Sequence, residues 1–237
     1  VSFLAWDVST ERERTIASDQ RFALEQSISI LRERLEVVVS DLLILSESRQ
    51  LEAVIEGRVP EEELAEEYAV FSQRRGVYDQ VRFLDNDGME IIRVNYGGGI
   101  PYAVPGRDLQ DKSSRPYFQF ANNAPRGTIY VSRIELNEEF GEIERPIKPV
   151  VRLSAPVFDR YGQRQGVVVL NLRAGPILDE MTAELSGDGA QGFVLNHHGH
   201  WIEGGEAGEN WAQELNGAAV GLGDRFPTAW ENMRQGH

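Results

Sequence analysis

Polar and basic side chains alternate with apolar ones along three predicted strands. Successive side chains of a strand point to opposite faces, so the polar positions gather on one face of a sheet. These positions are Arg93 in residues 89–96, Tyr130 and Ser132 in residues 128–134, and Arg152 in residues 150–158. Planar guanidinium groups bind carboxylates in a bidentate manner, and aromatic rings supply an apolar wall. The pattern predicts a site for a small carboxylate-bearing molecule.

The same arginines have an alternative role, because acidic side chains are abundant in this part of the chain. They could pair with carboxylates of the protein itself and only stabilise the fold. The acidic candidates are Glu90, Asp111, Glu142 and Glu144. The sequence leaves this choice open for each arginine.

We find no pattern of residues that predicts catalysis, a metal site or a cofactor. His197, His198 and His200 surround a predicted tight turn and lack a paired motif such as His-Glu-x-x-His. There is no cysteine, which excludes disulfides and thiolate chemistry. The glycines at 97–99 lack the lysine of a phosphate-binding loop and predict a flexible loop that could cover a site. A hydrolase would need a nucleophile paired with a base, and no such motif is present.

Composition and charge limit the possible partners. The chain has 237 residues, which predicts one large domain or two domains of average size. Its hydrophobic fraction of 41% is enough to form hydrophobic cores. The formal net charge of −14 disfavours nucleic acid and anionic membrane surfaces as partners. No run of 18 apolar residues is present that could cross a bilayer.

The first 56 residues contain no Gly or Pro, and their apolar residues recur at spacings of four and three. The repeating positions are Leu24, Ile28, Leu31, Leu35, Val38, Leu42 and Leu45. A repeat of 3.5 residues predicts a long helix, from about residue 9 to residue 56, with a coiled-coil seam. We expect it to pack on its own domain and also to pair with a second copy of the chain. A helix that serves only as a core element is the alternative.

After Val77 the period becomes that of strands. Residues 77–84 and 89–96 flank Asp85-Asn86-Asp87-Gly88 and predict a β-hairpin. A short helix at 115–122 and further strands at 128–134, 150–158 and 166–172 complete an antiparallel five-stranded sheet. A linking helix near 176–185 precedes a second hairpin at 192–203. The prediction is an α+β chain with a long helix (1–60), a first domain (61–175) and a smaller or incomplete second domain (176–237).

Several strings in this order resemble the double Cache sensor regions of bacterial histidine kinases and diguanylate cyclases. They include Val81-Arg82-Phe83-Leu84-Asp85, Leu109-Gln110-Asp111-Lys112-Ser113, Arg115-Pro116-Tyr117-Phe118 and Pro156-Val157-Phe158-Asp159. The hairpin around Asn196 and the later Trp211 are similar to the start of that family's second module. The resemblance covers roughly residues 20–235.

The resemblance implies two PAS-like domains on a long juxtamembrane helix, in the periplasmic or extracellular portion of an inner-membrane receptor. It implies a non-catalytic fragment whose first domain, distal from the membrane, binds the ligand. In amino-acid-binding relatives an Arg-x-aromatic-aromatic motif holds the ligand carboxylate, and Arg115, Tyr117 and Phe118 match it. The position of the relatives' ammonium-binding aspartate falls near Asn137, which is uncharged. A dimerisation module with a vestigial pocket, or less readily a hydrolase, is the alternative function.

Overall fold

The computed structural model describes residues 2–186 and 191–235. Residues 34–175 form one compact unit, and the described parts of 1–33 and 176–237 form another. The helices are α1 (Ser2–Ser46), α2 (Arg49–Ile55), α3 (Glu61–Arg75), α4 (Pro116–Ala121), α5 (Gly175–Leu185), α6 (Ala212–Asn216), α7 (Leu222–Arg225) and α8 (Pro227–Gln235).

The long N-terminal helix is confirmed and contains the whole apolar repeat, but it ends before the predicted residue 56. α1 stops at Ser46, and the hydroxyl of Ser48 then accepts a hydrogen bond from the backbone N–H of Leu51 at 3.0 Å. This contact caps the N-terminus of α2, so the chain begins a new helix instead of continuing the first. The prediction of one helix to residue 56 is therefore wrong, because a serine cap begins a second helix directly after the apolar repeat ends.

The strands of residues 34–175 are β1 (Tyr78–Leu84), β2 (Glu90–Gly97), β3 (Ile100–Ala103), β4 (Tyr130–Val131), β5 (Glu135–Leu136), β6 (Glu138–Glu139), β7 (Glu142–Ile143), β8 (Pro149–Phe158) and β9 (Arg164–Arg173). Seven of them form one antiparallel sheet, as the hairpin patterns predict. Its order is β3-β2-β1-β9-β8-β4, and β5 also pairs with β8. A separate two-stranded ribbon joins β6 and β7.

Pairing across the sheet places the polar side chains on one face. Arg82 of β1 lies opposite Arg93 of β2, and Arg152 of β8 lies opposite Asn171 of β9. Apolar side chains at the alternating positions, among them Leu153, are fully buried. Helix α3 contacts β1, β2 and β3, whereas α4 contacts β4, β8 and β9. The central strands are therefore buried on both faces, and their polar side chains lie in the interior.

Two predicted segments differ from the structure. The predicted strand at 128–134 contains only β4, because the Ser132 hydroxyl accepts the backbone N–H of Arg152 at 2.9 Å. The glycines at 97–99 do not form a long flexible loop: Gly98 and Gly99 make the tight turn between β2 and β3. Four strands are additional to the five that the sequence predicts: β3 and β5 in the sheet, and β6 and β7 in the ribbon.

α1 is joined to the sheet through a buried carboxylate. Asp41 lies on α1 and has no exposed surface. Its Oδ2 accepts a hydrogen bond from the Tyr78 hydroxyl at 2.6 Å, and its Oδ1 pairs with Arg75 at the end of α3. Burial raises the pKa of Tyr78, and the hydrogen bond to Asp41 raises it further. These contacts fix the C-terminal part of α1 against β1 and α3.

The second compact unit carries a small hairpin and the predicted helix α5. Its strands are β10 (Val194–Leu195) and β11 (Trp201–Glu203), which pair antiparallel around the predicted turn. Trp201, Trp211 and Leu222 are among the buried side chains of this unit. In the described part of the chain no helix is long and apolar enough to cross a membrane.

Candidate functional site

A cavity of about 50 Å³ lies in residues 34–175, between α4, the polar face of the sheet and the chain at 135–138. Its volume equals that of a few water molecules, well below the several hundred Å³ of a typical small-molecule pocket. The lining residues are Gln80, Arg82, Lys112, Arg115, Pro116, Tyr117, Tyr130, Glu135, Asn137, Glu138 and Arg152.

The start of α4 positions one wall of the cavity. Arg115 precedes the helix with extended backbone angles, and Pro116 occupies the first helical position. A proline there is pre-organised for a helix and needs no N–H. The helix consequently directs Tyr117 inward, where it is buried. Phe118 does not line the cavity, but it packs with Tyr117 in an apolar cluster that also contains Leu84, Ala121, Val167 and Val169.

Tyr117 lies beside two guanidinium groups. Its hydroxyl accepts a hydrogen bond from Arg82 Nη1 at 3.1 Å. The guanidinium carbons of Arg82 and Arg152 lie 5.2 Å and 6.0 Å from the centre of the Tyr117 ring. Such distances are those of cation–π contacts. The ring therefore holds two cations in place at the cavity wall.

Lys112 supplies a third positive group, and its environment makes the amine easier to deprotonate. The side chain is buried, and its Nζ donates to Gln110 Oε1 at 2.9 Å. Burial and the neighbouring Arg82 lower the pKa of Lys112 to about 8. Desolvation and like charge both disfavour the protonated amine. A negative group in the cavity would offset this penalty.

A buried ionic network lies behind the cavity. Glu90 is fully buried, with Oε1 3.4 Å from Arg82 Nη1 and Oε2 3.1 Å from Arg93 Nη1. Arg93 also contacts Glu139 Oε2 at 3.2 Å. Burial alone would raise the pKa of Glu139, but hydrogen bonds from Gln80 and Gln110 and the charge of Arg93 hold it below its usual value. The network fixes Arg82 from behind.

The two remaining arginines of the cavity each meet a carboxylate of the protein. Arg115 Nη1 lies 3.0 Å from Glu138 Oε2, and Arg152 pairs with Glu135. Arg152 also donates to Asn137 Oδ1 at 2.9 Å. The acidic partners predicted from the sequence differ from the observed ones, except that Glu90 does pair with Arg93.

The structure brings five of the eight predicted site residues together in the cavity. They are Arg115, Tyr117, Tyr130, Asn137 and Arg152. The other three lie elsewhere: Arg93 is held in the ionic network, Phe118 is in the apolar cluster, and the Ser132 hydroxyl donates to the carbonyl of Arg133 at 2.6 Å.

Sequence reasoning missed six lining residues. Gln80 and Arg82 alternate with Val81 and Phe83, so the strand argument that identified Arg93 would have found them if applied to β1. Lys112 and Pro116 lie in strings that mark the family resemblance. Glu135 and Glu138 carry no such signal, because long-range contacts place them.

The histidine-rich turn shows no metal geometry. The rings of His197 and His198 lie 3.6 Å apart between their centres, at the β10–β11 hairpin. Within residues 2–186 and 191–235, no group of three or more His, Asp or Glu side chains could hold a metal ion.

Comparison with protein families gives one match over most of the chain. Residues 19–237 match the model of the bacterial histidine kinase sensor domain. No curated protein matches the chain.

Solved structures resemble this fold at low sequence identity. A domain of a sensory box/GGDEF family protein from Vibrio parahaemolyticus is 22% identical with a TM-score of 0.75, over 93% of this chain and 84% of that one. The extracellular domain of the histidine kinase vpHK1S-Z8 is 20% identical with a TM-score of 0.73, over 93% of this chain and 82% of that one. The sensory domain of the Campylobacter jejuni chemoreceptor Tlp3 with isoleucine bound is 12% identical with a TM-score of 0.57, over 90% of this chain and 78% of that one. These likenesses confirm the α+β sensor fold.

Proposed function

Because the chain belongs to the bacterial histidine kinase sensor-domain family, we propose that residues 34–175 bind a small carboxylate-bearing ligand as the input of a membrane receptor. The observation that carries this proposal is the convergence of four cationic side chains on one cavity. They are Arg82, Lys112, Arg115 and Arg152. Sites of this composition select anions, because a ligand charge offsets the repulsion among the cations.

The chemistry of the lining supports a carboxylate in particular. Arg115 and Arg152 offer the planar donor pairs that match a carboxylate, and Tyr117 and Tyr130 offer ring surface to the rest of the ligand. The Campylobacter chemoreceptor domain carries isoleucine, which has a carboxylate. In the proposal, Arg115 is the principal anion contact. Asn137 lines the cavity but carries no charge for an ammonium group.

We further infer that this fragment is non-catalytic and forms the periplasmic or extracellular portion of an inner-membrane protein, with a kinase or cyclase output domain. Family membership supports this placement. Signal transmission would pass through α1, whose C-terminal part is fixed to the sheet by Asp41 and Tyr78. A ligand that favours one arrangement of residues 34–175 would then bias the position of α1.

Replacing Arg115 with alanine is expected to weaken carboxylate binding roughly tenfold or more, because a hydrogen bond to a charged group contributes about 1.5–3 kcal/mol. The fold should remain, since the Arg115–Glu138 pair is partly exposed and such pairs contribute only about 0–1 kcal/mol. Isothermal titration with acetate, propionate, succinate and amino acids measures the affinity.

The matched control for Arg115 is Arg107→Ala. Arg107 is an exposed arginine whose closest carboxylate is its neighbour Asp108 at 3.7 Å, and it does not line the cavity. Its loss should leave the affinity unchanged. Equal affinities in wild type and Arg115→Ala would remove Arg115 from the proposed site.

Self-association through α1 is the second part of the proposal. Leu24 and Ile28 at the start of the repeat, and Phe22 beside it, are about half exposed on α1, whereas Val38, Leu42 and Leu45 at the other end of the repeat are buried. An exposed apolar stripe of this period suits a second copy of the same helix. Replacing Leu31 and Leu35 with glutamate should abolish any dimer seen by sedimentation. A dimer that survives both substitutions would place the interface elsewhere.

A further inference from the structure

We propose that Glu135 and Glu138 occupy the positions of the ligand's anionic groups, so that a ligand binds by displacing their carboxylates from Arg152 and Arg115. This inference rests on the proposed function and adds the residues that set the affinity of the site. Glu135 pairs with Arg152, and Glu138 Oε2 lies 3.0 Å from Arg115 Nη1. All four residues line the same cavity.

In both ion pairs, Arg152–Glu135 and Arg115–Glu138, the carboxylate can be replaced by that of a ligand at little cost. The carboxylate side chains of Glu135 and Glu138 are 46% and 40% exposed, although the Arg152 side chain that Glu135 meets is only 10% exposed. A carboxylate already half in water loses little hydration when it pairs and regains little when it leaves. Partly exposed pairs therefore contribute little to stability. By contrast, Glu90 is fully buried and cannot leave Arg82 and Arg93 without a large penalty.

The backbone can stay in place while the two side chains rotate outward. Asn137 lies between them, is buried, and accepts hydrogen bonds on Oδ1 from Arg152 at 2.9 Å and Asn171 at 3.2 Å. Its Nδ2 donates to Glu144 Oε2 at 2.9 Å. Glu135 itself belongs to β5, which pairs with β8. Displacement thus requires new side-chain rotamers and no refolding of the segment.

Departure of the two carboxylates would change both the size and the charge of the cavity. The volume of about 50 Å³ would grow by the space that the two carboxylates vacate. Four cationic side chains would then line it without Glu135 and Glu138. Burial and the charge of Arg82 already lower the pKa of Lys112, and the departure of two carboxylates from the same cavity would add to the repulsion among its cations. An incoming anion would restore the balance that the glutamates now provide.

The test is the double variant Glu135→Gln and Glu138→Gln, which keeps the shape of both side chains and removes their charge. Propionate is the probe for an anion, and L-alanine is the probe for a zwitterion. Propionate should bind the double variant on the order of tenfold more tightly than wild type, from the loss of two competing pairs. Each single variant should show an intermediate gain.

Glu142→Gln is the control for a general effect of charge. Glu142 is an exposed acid of the neighbouring strand β7 and does not line the cavity, so its loss should leave propionate affinity unchanged. Unfolding in urea, followed by circular dichroism, is the check that each variant is folded.

Three results would overturn the inference. Propionate that binds wild type and double variant equally would mean that the glutamates do not compete, while the proposed carboxylate site stands. Weaker alanine binding in the double variant, without a gain for propionate, would assign the glutamates to the ligand's ammonium group. Failure of propionate and alanine to bind either protein would remove the proposed function together with the inference.

Discussion

Replacing Glu90 with glutamine is expected to lower the free energy of unfolding by about 3–5 kcal/mol, because one partner of a buried ionic group is removed. Glu90 is fully buried and contacts Arg82 and Arg93 at 3.4 Å and 3.1 Å. Its Oε2 also accepts the backbone N–H of Gln110 at 3.0 Å. Without the carboxylate, two buried guanidinium groups lose their shared counter-charge. Urea unfolding monitored by circular dichroism measures the loss.

A change of this size is a large part of the stability of an ordinary domain, which is about 5–15 kcal/mol. The matched control is Glu66→Gln, an exposed carboxylate on α3, for which we expect a change within about 0.5 kcal/mol. Equal stability of Glu90→Gln and wild type would show that Glu90 is not required to hold the arginines. In that case the ionic network would not support the wall of the cavity.

Replacing Gly166 with alanine is expected to destabilise the fold by about 3–5 kcal/mol, from backbone strain together with overpacking. Gly166 has a φ of +147°, and a Cβ there would lie 2.1 Å from the carbonyl oxygen of Leu84. It would also lie 2.8 Å from the ring of Phe83. The backbone of β1 would have to move away from β9, where these two central strands pair. Thermal and urea unfolding both report this loss.

Gly162 in the same hairpin is the matched control for Gly166. It has a φ of +78°, but a Cβ there would meet no atom within 4 Å. Gly162→Ala should therefore lower the free energy of unfolding only by the strain of the left-handed conformation, about 1–2 kcal/mol. If the two alanine variants are equally stable, the close approach of β1 to Gly166 is not a constraint on the fold.

The local patterns of the sequence were sufficient for most of the secondary structure. Alternation along residues 150–158 predicted that Arg152 and the apolar side chains lie on opposite faces, and β8 has this arrangement. The Asp85–Gly88 turn predicted the β1–β2 hairpin, with Gly88 at a φ of +90°. Both features depend only on neighbours in the chain, through steric limits on the backbone and the period of burial, so the sequence is enough to predict them. The end of α1 differs from the prediction, because the apolar repeat stops at Leu45 and a capping hydrogen bond at Ser48 starts a new helix.

The sequence by itself determined the fold class, the family resemblance and the types of residue that could bind an anion. Tertiary structure alone decided which arginines remain at the cavity. Arg93 and Arg82 are equivalent by alternation and lie opposite each other, yet Glu90 and Glu139 hold Arg93 outside the cavity lining while Arg82 reaches it. The reason is physical: a strand's period fixes the face of a side chain, whereas the partner of a charge depends on residues far away in sequence. Glu135 and Glu138 became part of the site only because β5 pairs with β8 and Asn137 is buried beside Arg152.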